Sequence, residues 1–247
     1  MEEYRHWPLR ERLVLAVDTS DEHEAVRLVN LATDSGARVV KFGLELASLM
    51  GWQGCAQLAE DHNLSWIADA KYHDISNTVV NAISNLVERT AKPPLGITVH
   101  AQAGIETLRL AQESAGGGIV FGVTLLTDIP SSETMYRFGL NRLELVSKLA
   151  LEVAAAGLKG IVTSPREVVS IRSNSTTSQL VTLVPGARSL NTANHDQVNY
   201  DTPANAIRNG ADLLVIGRQI SRADNPAVAY ESLVREIEAD LGKQTDS

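Results

Sequence analysis

Ten consecutive residues, Asp69-Ala70-Lys71-Tyr72-His73-Asp74-Ile75-Ser76-Asn77-Thr78, set three alternating charges directly after the apolar run Trp66-Ile67-Ala68. Successive side chains of a strand face opposite ways, so Asp69 and Lys71 share a face. Lys41 follows an earlier apolar run, Val39-Val40. If those two strands are neighbours, Lys41, Asp69, Lys71 and Asp74 gather in one small volume. Two unit charges about 4 Å apart interact by roughly 4 kcal/mol at an effective dielectric near 20. Alternation therefore keeps both lysines protonated and both carboxylates ionised at neutral pH. Such a row can deliver a proton from a lysine beside a site that repels an incoming carboxylate. Grouping the charges costs several kcal/mol of desolvation unless each is matched. A purely structural ion-pair network is the bland alternative.

Two further motifs suit an anionic ligand. Val215-Ile216-Gly217-Arg218 ends an apolar run in Gly-Arg, where the backbone approaches a phosphate closely and a guanidinium adds a planar set of donors. Pro185-Gly186-Ala187-Arg188 is a turn after another such run. Between Ser189 and Thr202 the chain is polar and almost without apolar residues. A loop that long in a compact fold is expected to act as a lid, with Gln197 as a contact inside it. Thr127, in Thr124-Leu125-Leu126-Thr127-Asp128, offers a hydroxyl that both donates and accepts. His100 reads as a satisfied rim residue, and His23, His62, His73 and His195 show no metal-ligand spacing. No Walker loop, GxGxxG fingerprint or GxSxG elbow is present.

The elements that must position these groups are short and regular. Apolar runs rich in β-branched residues begin near residues 13, 39, 66, 96, 119, 160, 180 and 213. Amphipathic stretches separate them. In Asp21 to Thr33, for instance, Ala25, Val26, Leu28, Val29 and Ala32 form one stripe behind an acid-rich first turn. Eight strand-helix units whose strands are apolar on both faces call for parallel strands covered by helices. An open doubly wound sheet is the alternative to a closed barrel. Polar residues at the strand ends (Asp18, Lys41, Asp69, Lys71, His100, Thr127, Arg188, Arg218) favour the barrel, whose active sites sit at that rim. The expectation is an α/β chain folded as one (β/α)8 TIM barrel over residues 1–247, with short polar tails at about 1–10 and 242–247.

Composition narrows the function. With 22 basic and 30 acidic residues the net charge is −8, which opposes binding to nucleic acid. A small anion is not excluded, since the potential in a cleft can oppose the global sign. A single cysteine, Cys55, excludes an internal disulfide and disfavours a cysteine-based metal cluster. No apolar run reaches the roughly 18 residues that cross a bilayer. The first residues lack the layout of a secretory signal. A cytoplasmic location is expected, with no membrane and no nucleic-acid partner.

Together these residues resemble the orotidine 5'-phosphate decarboxylase family in its bacterial form, over about residues 12–240. The specific core is Asp69-x-Lys71-Tyr72-His73-Asp74-Ile75-x-Asn77-Thr78. Leu126-Thr127, Pro185-Gly186-x-Arg188, Asp196-Gln197 and Ile216-Gly217-Arg218 agree in order and spacing. Family members commonly carry Pro where this chain has Ser76 and Ser189. The resemblance implies decarboxylation of orotidine monophosphate to uridine monophosphate, without metal or cofactor. It implies Lys71 as the proton donor to C6, Asp69 against the departing carboxylate, and Lys41 orienting Asp69 and bonding the ribose. Asp74 and Thr78 would reach into the site of a partner subunit, making an obligate homodimer with shared sites. Asp18 would hold ribose hydroxyls, Thr127 the pyrimidine amide, Gln197 base and phosphate, and Arg188, Gly217 and Arg218 the phosphate.

Magnesium-dependent sugar-phosphate synthases and decarboxylases of the same superfamily are the nearest rival. They share Asp-x-Lys-x-x-Asp after the third strand but place a metal-binding glutamate where this chain has Lys41, and a lysine there repels magnesium. A non-catalytic nucleotide-binding barrel is a second rival, but it would have no need of Lys71.

Overall fold

A computed structural model describes residues 2–189 and 201–242. The strands are β1 (Leu13–Val17), β2 (Val39–Phe42), β3 (Ser65–Tyr72), β4 (Gly96–His100), β5 (Ile119–Val123), β6 (Gly160–Val162), β7 (Val181–Pro185) and β8 (Leu213–Ile216). They pair in parallel in chain order, and β8 returns to β1 to close a barrel. A short helix, α1 (Leu9–Arg12), precedes the barrel. The crossovers carry α2 (Glu22–Asp34), α3 (Leu44–Asp61), α4 (Ser76–Arg89), α5 (Ile105–Ser114), α6 (Ser131–Phe138) and α7 (Arg142–Ala155). The remainder are α8 (Val168–Ser173), α9 (Pro203–Arg208), α10 (Arg218–Ser221) and α11 (Pro226–Gly242). The expected single (β/α)8 architecture is the one observed.

Strands buried on both faces divide their side chains between two cores. Leu13, Leu15, Val17, Val40, Phe42, Trp66 and Ala68 face outward and pack under the helices. Val14, Ala16, Val39, Ile67, Phe121, Leu183, Leu213 and Val215 fill the barrel. Phe121 occupies its middle, and a Cβ on Gly96 or Gly160 of the flanking strands would overlap the Phe121 ring. The interior rows then run upward, toward the strand C-termini. Val14 and Ala16 lead to Asp18, Val39 to Lys41, Ile67 to Asp69, and Leu213 and Val215 to Gly217. The period-two alternation that builds the apolar interior thus delivers polar groups to one rim.

Helix α2 shows the local logic. Asp21 caps it by accepting the Glu24 N–H, and Ala25, Leu28, Val29 and Ala32 are buried. Val26 leaves the expected stripe and is 41% exposed, being one helical step of 100° off the buried face.

The N-terminal segment also differs from expectation. Glu2–His6 forms a 3-10 helix rather than a frayed start. Tyr4 and Trp7 pack against the interior core, Arg38 stacks over Trp7, and Arg5 pairs with buried Asp212 at 2.7 Å. Asp212 also accepts from Arg172 and from the Thr182 N–H. The bottom of the barrel is a stability device, opposite the rim where chemistry belongs. The tail beyond residue 242 and most of the 189–202 loop lie outside the described residues. Among the described residues no helix is long and apolar enough to cross a membrane.

Candidate active site

Lys41 stands at the top of β2, 7% exposed. Its Nζ lies 2.8 Å from Asp69 Oδ2 and 3.4 Å from Asp18 Oδ1. Register explains the encounter: Lys41 pairs with Ile67 on β3, so Asp69 stands one interior step higher on the next strand. The other Asp69 oxygen, Oδ1, lies 2.8 Å from Lys71 Nζ. One carboxylate thus separates two ammonium groups.

Lys71 reaches that position through an irregularity. Its φ is +48°, a left-handed conformation rare for a lysine, and the β3–β4 register shifts between Ala68 and Tyr72. Holding a non-glycine residue there costs about 1–3 kcal/mol, and such strain concentrates at functional sites. Thr98, an interior residue of β4 that is 1% exposed, supplies the restraint. Its hydroxyl accepts the Lys71 N–H at 2.8 Å and donates to Asp69 Oδ1 at 3.0 Å. Asp69 therefore receives Lys41, Lys71 and Thr98 together.

Burial alone would push Asp69 upward, but the charges of Lys41 and Lys71 outweigh it and hold the carboxyl well below the usual carboxylate range. Burial likewise pulls Lys41 down, and the attraction of Asp69 and Asp18 reverses this, leaving its pKa raised. At 2.8 Å each contact is worth about 6 kcal/mol at an effective dielectric near 20, enough to offset a desolvation cost of several kcal/mol per ion. The group Lys41, Lys71, Asp69 and Asp18 sums to zero charge.

Asp18 is half exposed on the loop after β1. Gly43, just beyond β2, leaves room for its carboxylate, which any Cβ at that position would strike. Together with Lys41, Asp69 and Lys71 it forms one wall of a cleft of about 260 Å³. The remaining lining includes Thr127, Arg188, Gly217, Arg218 and Gln219. Gly186 turns with φ +89° to bring Arg188 round. The Arg188 N–H donates to the Asp201 carbonyl at 3.0 Å, and Ala187 bridges Asp201. The two ends of the long loop are thereby tied beside the cleft. Thr127 is presented by the β5–α6 loop, which Arg142 braces by donating to the Leu126 and Ile129 carbonyls. Buried Glu167 pairs with Arg142 at 2.7 Å.

Within this chain Asp18 joins Lys41, Asp69 and Lys71, and Asp74 lies apart from them. The chain leaves β3 for α4 after Tyr72, so Asp74 is exposed and its carboxylate accepts the adjacent Ile75 N–H at 2.7 Å. Thr78 is exposed on the first turn of α4. Gln197 lies outside the described residues. His100 stands at the rim with its ring 5.3 Å from that of His73. Burial first, then His73 and Lys71, lower its pKa, so it is neutral at neutral pH. Sequence reasoning missed Thr98, Gly43 and Gln219. Thr98 left a usable signal, a hydroxyl in an interior row where its strand neighbours are apolar.

The arrangement can hold an ammonium proton source in a cleft that Arg188 and Arg218 also line. The comparisons with known proteins agree in direction. Residues 11–233 match the family model described as the orotidine 5'-phosphate decarboxylase / HUMPS family. The chain is 35% identical to an orotidine 5'-phosphate decarboxylase of Carboxydothermus hydrogenoformans, covering 94% of this chain and 98% of that one. It is 34% identical to the enzyme of the same name from Actinobacillus succinogenes, over 90% of this chain and 96% of the other. Among solved structures it is similar to an orotidine 5'-phosphate decarboxylase from Lactobacillus acidophilus. That match has a TM-score of 0.73 at 26% identity, over 92% of this chain and 99% of that one.

Proposed function

The chain belongs to the orotidine 5'-phosphate decarboxylase / HUMPS family, and from that premise we propose that it is a carboxy-lyase converting orotidine 5'-monophosphate to uridine 5'-monophosphate, with Lys71 as proton donor. The observation that carries this reading is Asp69 held at 2.8 Å between Lys41 and Lys71, on the wall of a cleft that Arg188 and Arg218 also line. The phosphate is assigned to Arg188, Gly217 and Arg218, the pyrimidine amide to Thr127, and the ribose hydroxyls to Asp18 and Lys41. Gln197 is assigned to base and phosphate.

With the nucleotide so held, the bond from C6 to its carboxylate breaks and carbon dioxide departs. The electron pair left on C6 has no ring orbital to spread into. The Lys71 ammonium stabilises that charge and then transfers its proton to C6, to be reprotonated from solvent. Asp69 keeps the ammonium aimed and lies beside the departing carboxylate. Binding energy from the remote phosphate contributes to lowering the barrier at the reacting carbon. The reaction so written uses no metal or cofactor. Lys41, already in contact with Asp69 and Asp18, disfavours a magnesium ion between those carboxylates.

The same reading includes a homodimer with shared sites and a cytoplasmic location. Asp74 and Thr78 are exposed and take no part in their own chain's cluster. Beside them Ile75 is 71% exposed, and Ile105, opening the adjacent helix α5, is 47% exposed. These uncovered apolar groups suit a second copy that receives Asp74.

The test is loss of orotidine monophosphate absorbance on adding the protein. Lys71→Ala is expected to lower turnover by about a thousandfold or more while uridine monophosphate still binds. Near-normal turnover by that variant would sink the assignment. Loss of activity in EDTA would instead favour a metal-dependent sugar-phosphate enzyme.

A further inference from the structure

Among the described residues that line the cleft, Gln219 is the one polar side chain that the reaction above does not use, and its amide is only half satisfied. It follows Gly217-Arg218 in α10. Its Oε1 accepts the backbone N–H of Ser189 at 3.4 Å. Since Ser189 offers a hydrogen there, the amide oxygen must be the atom that faces it. Its Nε2 is buried and has no hydrogen-bond partner among the described residues. An unpaired buried donor costs about 1–3 kcal/mol, and native structures keep few of them without a use.

We propose that Gln219 is a ligand of the substrate's phosphate: a small shift of the side chain opens Nε2 to the cleft, where it donates to a phosphate oxygen, while Oε1 fixes the Ser189 turn that presents Arg188. The inference rests on assigning the phosphate to Arg188, Gly217 and Arg218, and extends that assignment by one neutral donor. Geometry supports it in two ways. Gln219 lines the same cleft as both arginines, and through Ser189 it holds the residue next to Arg188 in the chain. A neutral amide at this point adds direction without charge. A third cation there would have tightened the grip on any anion, whereas an amide discriminates by position.

Two variants separate the ends of the amide. Gln219→Glu keeps an acceptor for the Ser189 N–H and removes the donor. Gln219→Leu removes both without adding charge. Calorimetric titration with uridine monophosphate, uridine and inorganic phosphate reads the result. Both variants are expected to bind uridine monophosphate and inorganic phosphate at least about tenfold more weakly, with uridine changed by less than about twofold. Gln219→Leu binding uridine monophosphate as the wild type does would overturn the inference. So would an equal weakening of uridine and its monophosphate, which marks a residue that merely props the cleft. The reading of the reaction fails separately. Wild-type protein that leaves orotidine monophosphate intact, yet whose affinity for inorganic phosphate falls in Gln219→Leu, would sink that reading and support Gln219 as a phosphate ligand.

Discussion

At the scale of single residues, Thr98 decides whether the charged triad is merely close together or held in register. Its one hydrogen goes to Asp69 and its lone pair takes the Lys71 N–H, so it links the strained backbone of Lys71 to the carboxylate between the two lysines. Thr98→Val keeps the shape and removes the hydroxyl. Two buried groups then lose a partner, for a stability cost of about 1–3 kcal/mol. We expect kcat for orotidine monophosphate to fall about tenfold to a hundredfold with KM changed far less, because Lys71, the proposed proton donor, shifts while the proposed phosphate ligands do not. Steady-state kinetics beside a denaturant titration check this, and a change confined to KM would exclude the role. The same residues show how much of the site the sequence discloses. Alternation along a strand was enough to set Lys41 and Asp69 on adjoining interior rows and to point to Lys71 beside them. It could not reveal the left-handed turn at Lys71, which arises where β3 slips against β4 and so depends on a neighbouring strand. Nor could it exclude Asp74, whose direction is set by how the chain leaves the sheet for α4.

At the scale of elements, the β5–α6 loop is held from behind by a buried ion pair. Arg142 donates to Glu167 and to the carbonyls of Leu126 and Ile129, while Glu167 also accepts from the Thr163 hydroxyl and the Ser164 N–H. Four groups therefore depend on the pair, and the loop it braces is the one that presents Thr127. Arg142→Met fills the volume but leaves the buried Glu167 carboxylate without its cation and takes a donor from the Leu126 and Ile129 carbonyls, for an expected loss of about 3–5 kcal/mol. Arg142→Lys is expected to recover little, because one ammonium cannot reproduce a planar fork. Denaturant unfolding measures the loss, and wild-type stability in Arg142→Met would refute it. Such a brace is hard to read in sequence: Arg142 and Glu167 are 25 residues apart on α7 and in the turn before α8. The strands and helices themselves were legible, because a buried parallel strand and an amphipathic helix each satisfy their pattern locally. The N-terminal segment was not, since Tyr4, Arg5 and Trp7 acquire their partners only once the barrel exists.

At the scale of the whole molecule, charge and assembly set the working conditions. Asp69 titrates below its unfolded value, so its contribution is present above about pH 4 and is lost as the pH falls further. Lys41 titrates above its unfolded value, so its contribution is complete below about pH 10 and is lost as the pH rises through the folded pKa. Between those limits Lys41 and Asp69 keep their opposite charges. His100 is lowered, so below about pH 6.5 the unfolded chain takes up a proton that the folded one resists. Thermal stability should therefore begin to decline below that point, and less steeply in His100→Asn; an unchanged acid slope in that variant would exclude His100 as the cause. The proposed dimer makes a sharper claim. If Asp74 completes the site of a second copy, Lys71→Ala and Asp74→Ala break different members of one shared site. Each variant alone is inactive. In a dimer built from one of each, one site combines both lesions and the other combines an intact Lys71 with an intact Asp74. Random exchange makes about half of the dimers mixed, so unfolding and refolding an equimolar mixture should restore about a quarter of wild-type activity. A mixture that stays as inactive as its components, while mixed dimers are demonstrably present, would return Asp74 to its own chain and leave the exposed Ile75 and Ile105 without this explanation.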